Sequence, residues 1–267
     1  MSANTLYSIG EALIDMIPSK SGCDFAEVPA FSPRVGGAPA NVCGAFTALG
    51  GRSALLTQLG DDPFGHKIAA ELASHGIDVS RVPFTTKANT ALAFVSLGAD
   101  GNRTFSFYRN PSADLLYSAS QIDPAWFQDA FALHFCSVSL VDSPMKAAHD
   151  AAIAAAAKAG AIISFDPNLR FPLWPDHDAL KRTVLDYLPK ASVLKVSDEE
   201  LAFLTGTENI ETALPQLFTG DVQLILYTCG GGGAYAFTRT ARAFAGSQKV
   251  QAVDTTGAGD GFIGSFL

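Results

Sequence analysis

Charge is scarce in this chain: Asp, Glu, Lys and Arg make up only 16% of its 267 residues. What charge there is leans acidic, 26 acids against 18 basic residues for a net −8 at pH 7, and the basic residues form no cluster. Such a chain lacks the electrostatic footprint of a binder of duplex nucleic acid or anionic membranes, so no nucleic-acid or membrane partner is expected. Cysteine is equally sparse. Cys23, Cys43, Cys136 and Cys229 stand singly, without a C-x-x-C pair, which predicts reduced, mostly buried thiols. Five histidines are as dispersed, with no H-E-x-x-H spacing, and no protein-held zinc site is expected. No apolar run reaches the roughly 18 residues of a membrane helix. The opening MSANTLYSIGEALIDMIP has no basic start and carries Glu11 and Asp15 within its apolar run. It reads as a buried strand and not as a signal peptide, and the expected location is cytoplasmic.

What is present is apolar and rhythmic. Hydrophobic residues amount to 48%, enough for one large core or two modest ones. Short Val-, Ile-, Leu- and Phe-rich runs predict strands at 7–14, 54–59, 132–136, 162–166, 193–196 and 224–228. Between them the pattern predicts helices at 40–49, 64–75, 144–159, 198–204 and 211–218. Continuous apolar strands alternating with helices predict an α/β fold, a mainly parallel central sheet with helices on both faces. Two segments break the rhythm. Residues 25–35 and 88–109 have no helical period, and the second alternates around a turn at 98–102, as a hairpin does. Both read as β insertions, about residues 18–36 and 85–110, in a chain that no linker divides. A small sheet of this kind buries little alone; it is expected over a cleft, against another subunit, or both.

The segment DTTGAGD at 254–260 is the most informative motif. Gly257 and Gly259 let backbone approach an anion closely, and free N–H groups at the following helix start would face it. A carboxylate repels a resting phosphate, so Asp260 needs a reason to be there. Taking a proton from a hydroxyl that attacks the phosphate is one; a plain glycine-rich turn is the bland alternative. Gly259, Gly261 and Gly264 fit G-x-G-x-x-G, but that fingerprint needs a βαβ unit and an acidic residue about 20 positions on, past Leu267 where the sequence stops. GDDPFGHK from Gly60 misses the P-loop, with His66 where lysine belongs.

Polar residues near other strand ends are weaker signals individually. Asp15 could accept hydrogen bonds from ligand hydroxyls or merely cap a turn. GGAPAN at 36–41 joins Gly36 and Gly37 to Asn41 at a helix start, where Asn41 could equally be a simple cap. FDPNLR places Asp166, Asn168 and Arg170 after a strand, and the arginine could pair with phosphate or with a surface acid. In KVSDEE, from Lys195, three acids open a helix and suit its dipole in any case; Glu200 could also serve a magnesium ion, directly or through water. TCGGGG at 228–233 is suited to phosphate or ribose, or is a hairpin turn.

Taken in this order, the motifs resemble the ribokinase-type (pfkB) sugar kinases, through Gly36-Gly37-x-x-x-Asn41 and the intact DTTGAGD. Within that family GEALID, FYRNPSADLL, FDPNLRFPLWP and KVSDEELAFLTG are most similar to fructokinases. The resemblance implies a ribokinase-like three-layer fold with a small β-sheet lid and ATP-dependent transfer of the γ-phosphate to a primary hydroxyl of a ketose. Asp260 would be the base, with amides of Gly257, Ala258 and Gly259 as the anion hole. Asp15, Gly36, Gly37, Asn41, Arg109, Asn168 and Arg170 would meet the sugar, and Lys195, Ser197, Thr228, Gly230 and Gly233 the nucleotide. Glu200 would serve Mg²⁺ through water, although Ser197 replaces the asparagine of the family's N-x-x-E motif. Asp254 and Thr256 would begin a K⁺ site, and the lid sheets would join a homodimer. The alternatives are a 2-keto-3-deoxygluconate kinase, with Arg109 pairing a carboxylate, an aminoimidazole riboside or nucleoside kinase, and, from another class, a non-catalytic sugar sensor. A dehydrogenase lacks its fingerprint in the first βα turn. Only seven residues follow Asp260 (267 − 260), whereas the family continues into helices that wall the adenine. A chain ending at Leu267 is therefore expected to bind ATP poorly.

Overall fold

The computed structural model of the protein describes residues 4–20, 22–97, 103–248 and 255–267. In chain order the strands are β1 (Thr5–Ile9), β2 (Leu13–Pro18), β3 (Phe31–Gly36), β4 (Arg52–Leu56), β5 (Leu59–Gly60), β6 (Phe84–Thr85) and β7 (Leu92–Leu97), followed by β8 (Arg103–Tyr108), β9 (Ala130–Cys136), β10 (Ile162–Asp166), β11 (Val193–Ser197), β12 (Leu224–Thr228), β13 (Ala234–Phe237) and β14 (Arg242–Ala245). The helices are α1 (Ala38–Ala48), α2 (Pro63–Ser74), α3 (Pro144–Lys158), α4 (His177–Tyr187), α5 (Asp198–Thr205), α6 (Ile210–Leu217) and α7 (Ala258–Phe266). Eight strands form the main sheet in the order β14-β13-β12-β11-β10-β9-β1-β4. The six from β12 to β4 are parallel, and β13 and β14 add an antiparallel edge.

Alternation along these strands builds two cores. Leu6, Ala132, Val193 and Leu226 point to one face, where they pack with Val42 of α1 and Ile263 of α7. Tyr7, Phe135, Phe165, Leu194 and Ile225 point to the other, against residues of α3 to α6. There Phe135 and Phe165 stack with ring centroids 4.5 Å apart. Both faces being covered explains why the strands read as unbroken apolar runs.

A second sheet of four strands, β3-β2-β7-β8, is inserted between these elements, and β5 pairs with β6 beside it. Here the structure departs from the expected 7–14 strand. The chain breaks at Gly10 (φ 145), leaves the main sheet and enters the small one, so Asp15 lies in β2 and not beyond the carboxyl end of β1. The small sheet accordingly starts at Leu13, earlier than the expected insertion. The hairpin expected over 88–109 is present as the antiparallel pair β7–β8, while its 98–102 turn and Asp254 lie outside the described residues. Helix α4 was not expected; Asp176 caps it through Ala179 N at 2.6 Å, and it buries Leu180, Val184 and Tyr187.

Candidate active site

Asp260 sits in the first turn of α7 and is only 6% exposed. Gly257, in the left-handed conformation (φ 75), turns the chain into that helix. Two asparagines from distant segments hold the carboxylate: Asn41 Nδ2 donates to Oδ2 at 2.8 Å and Asn168 Nδ2 to Oδ1 at 2.9 Å. Burial raises the Asp260 pKa above its ordinary value, while Asn41, Arg170, Lys195 and Asn168 pull it back. Asn168 itself has φ 44, uncommon for a residue with a side chain. Its Oδ1 is buried without a hydrogen-bond partner among the described residues, an acceptor free for a ligand hydroxyl.

Two cavities meet at this residue and a third adjoins them. The first is narrow and lies beneath the small sheet, with Asp15, Leu13 and Phe107 above and Asn41, Asn168 and Asp260 below. Gly36 makes room for Asp15, since a Cβ there would collide with its carboxylate. The second, about 370 Å³, lies on the far side of Asp260 and is lined by Lys195, Ser197, Glu200 and the 255–260 loop. Asn168, Arg170, Thr256, Gly257 and Asp260 line both. The third, about 350 Å³, continues past Ala258 and Gly259 to Thr228, Gly230, Gly233 and Phe262. A larger groove of about 830 Å³ between β3, α1 and α2 reaches the same rim from the side.

The middle cavity is electrostatically built. Lys195 Nζ is 3.1 Å from Asp166 Oδ2 and 3.6 Å from Glu200 Oε2. Burial works against its ammonium, but Asp166 and Glu200 outweigh burial and hold it charged. A Cβ on Gly259 would stand 3.2 Å from Nζ, so this cation lies directly under the glycine loop. Ser197 and Glu200 form a capping box on α5, with Glu200 Oε2 accepting from Ser197 N at 2.8 Å and Glu200 N donating to Ser197 Oγ at 3.2 Å. The glycine run after β12 turns the chain into antiparallel β13 and lines the third cavity.

Two sequence expectations differ in position. The Ala258 amide donates to Thr255 O at 3.1 Å and is occupied by the turn, which leaves Gly257 and Gly259 as the loop's candidate anion donors. Arg109 does not line the first cavity; it is buried against Asp114, with which it forms an ion pair. Glu11, in sequence only an acid within the opening apolar run, lines that cavity instead. All four cysteines are free, and no group of three or more His, Cys, Asp or Glu among the described residues could hold a metal.

The pfkB family carbohydrate kinase pattern matches residues 3–267. The chain belongs to that family. It is 46% identical over 264 residues to a probable fructokinase-4 of Arabidopsis thaliana, covering 98% of this chain and 81% of that protein. A crystal structure of a Xylella fastidiosa fructokinase with bound ATP superposes with a TM-score of 0.90 at 39% identity, over 98% of this chain and 80% of that one. A Vibrio cholerae O395 fructokinase double mutant in its fructose, ADP and potassium ion bound form matches with a TM-score of 0.85 at 34% identity, over 98% and 82%. The ribokinase-like architecture, a mainly parallel sheet between helical layers, is thus that of a phosphotransferase acting on carbohydrate.

Proposed function

We propose that the protein transfers the γ-phosphate of ATP to a primary hydroxyl of a ketose, fructose to fructose 6-phosphate. The observation that carries this reading is the shared rim: one buried carboxylate, Asp260, stands between a narrow polar cavity and a cavity floored by a cation and glycine amides. A sugar in the first cavity would meet Asp15, the backbone of Gly36 and Gly37, Asn41 and Asn168. Asp260 would accept the proton of the attacking hydroxyl, and the negative charge developing on phosphate would fall on the Gly257 and Gly259 amides, Arg170 and Lys195. Thr228, Gly230 and Gly233 line the cavity for the rest of the nucleotide. Ser197 would flank the phosphates.

Glu199 and Glu200 line the second cavity and would suit a magnesium ion that arrives with the nucleotide and keeps most of its water. When bound, that ion supplies charge neutralisation on the phosphates. A potassium ion near Thr256 and Asp254 belongs to the same reading, supported by the potassium-bound neighbour. So do a chain organised as one kinase domain, a lid over 18–36 and 85–110 that excludes water, and a cytoplasmic location. Homodimerisation through the lid draws support from its outer aromatic cluster of Phe25, Phe31, Phe94 and Tyr108, with centroids 5.2 to 5.8 Å apart. The pairing of Arg109 with Asp114 favours a neutral sugar over a sugar acid, since that cation is already neutralised. A coupled ADP-release assay over fructose, ribose, ketodeoxygluconate and a nucleoside is the test. Fructose should lead in kcat/KM by about tenfold or more; preference for the acid or the nucleoside would refute the assignment.

A further inference from the structure

Glu11 lies where the chain first leaves the main sheet, and the chemistry above makes no use of it. Its side chain is buried, and both carboxylate oxygens are engaged. Oε1 accepts from the backbone N–H of Ala38 at 3.3 Å and Oε2 from the Ser139 hydroxyl at 2.6 Å. The Ser139 oxygen in turn accepts from Arg109 Nη2 at 3.1 Å. Arg109 also donates to Val138 O at 3.2 Å and to the Asp114 carboxylate. An unbroken run of hydrogen bonds therefore leads from Asp114 to the amide of Ala38.

Three of its members come from crossings between the two sheets, and Ser139 follows β9 of the main sheet. Glu11 is on the passage from β1 to β2, Ala38 follows the passage from β3 into α1, and Arg109 follows β8. These crossings are tightly packed. A Cβ at Gly37 (φ 110) would stand 2.6 Å from Glu11 O, and one at Gly10 would stand 2.7 Å from Pro39 Cγ. Ala38 is the first residue of α1, so its N–H has no acceptor inside the helix; Glu11 provides one. Three residues further along that helix, Asn41 holds Asp260. Burying two carboxylates and a guanidinium is a poor way to stabilise a hinge, because an apolar cluster of the same volume does as well or better. The arrangement is better explained by what it positions.

We infer that Glu11 is a positioning residue for the acceptor sugar: through the Ala38 amide and the Ser139–Arg109 link it holds Gly37 and Asn41 in register beneath Asp15. This rests on reading the narrow cavity as the sugar site. The test uses Ser139→Ala, Glu11→Gln and Glu11→Ala in the intact protein. In Ser139→Ala the sugar KM should rise about tenfold, the scale of one lost buried hydrogen bond. The ATP KM should stay within about twofold, marking a loss of sugar binding alone. Hydrogen exchange at the Ala38 amide should quicken with little change in melting temperature. Glu11→Gln keeps an acceptor for Ala38 and should lose less than Glu11→Ala; if Glu11→Ala fails to fold, the other two variants decide. An unchanged sugar KM in both, or equal rises in both KM values with a fall in melting temperature, overturns the inference. Absence of fructose turnover in the wild type counts against the assigned substrate alone. The variants are then read on the sugar that is turned over, and exchange at Ala38 needs no sugar at all.

Discussion

Asp260 carries the strongest expectation at the scale of single residues. Asp260→Asn keeps the shape of the side chain and removes the base, so kcat should fall by about 10²- to 10⁴-fold, while calorimetry should find sugar binding largely retained. Near-normal turnover would remove Asp260 from its role. Its pH dependence follows from its environment. Burial raises its pKa, so the proton is held at a pH where a free aspartate, with its pKa of about 3.9, has already lost it. Only the ionised form can accept a proton; kcat should therefore fall as pH drops through that raised value and level off above it. A profile flat down to about pH 4 would contradict this. Asn41, Asn168 and Asp260 were each legible in the sequence because they stand in motifs with glycine or proline at fixed spacing. Glu11 was not: its partners are 27 and 128 positions away, and a lone acid in an apolar run carries no spacing signal. Arg109 misled for a related reason, since its neutralising acid is only five positions on but nothing in a string of residues tells which way a side chain turns.

The contact of α1 with α7 fixes the distance between Asn41 and Asp260 at the scale of elements. Gly264 is the point of closest approach, where a Cβ would stand 2.6 Å from Val42 O and 2.9 Å from Ala45 Cβ. Gly264→Val should force the helices apart, cost about 1–3 kcal/mol of stability in denaturant titrations, and lower kcat through the lengthened Asn41–Asp260 bond. Unchanged stability would mean that the two helices have slack there. Elements were readable wherever one period ran uninterrupted: β12 over Leu224–Thr228 and the alanine-rich α3 before Gly160 are where the pattern put them. The pattern failed where tertiary context intervened. Between 7 and 14 the apolar run continues although the chain changes sheets at Gly10, and periodicity cannot register which sheet a strand joins. In α4 the charged residues of HDALKRTVLDY hid the Leu180, Val184 and Tyr187 stripe, whose i, i+4, i+7 spacing could have found it.

The small sheet presents one face to the cavity and aromatic rings at the far end of the other, with Phe25 45% and Tyr108 63% exposed, and this sets an expectation for the whole molecule. Sedimentation velocity should find a dimer, and a Phe25→Glu, Tyr108→Glu double variant should shift it to monomer by placing unpaired charge in an apolar contact. A wild-type monomer at micromolar concentration would dispose of that assembly. The family and the layering were legible because glycine loops at strand ends report the sheet's topology. The proposed assembly rests in the sequence only on a surplus of apolar β residues. Asp260 on the rim shared by the two cavities would be engaged with the acceptor's proton, and no covalent carrier of the phosphoryl group enters this scheme. Donor and acceptor would exchange it in a single displacement, and a phosphorus atom made chiral with oxygen isotopes would emerge with its handedness reversed.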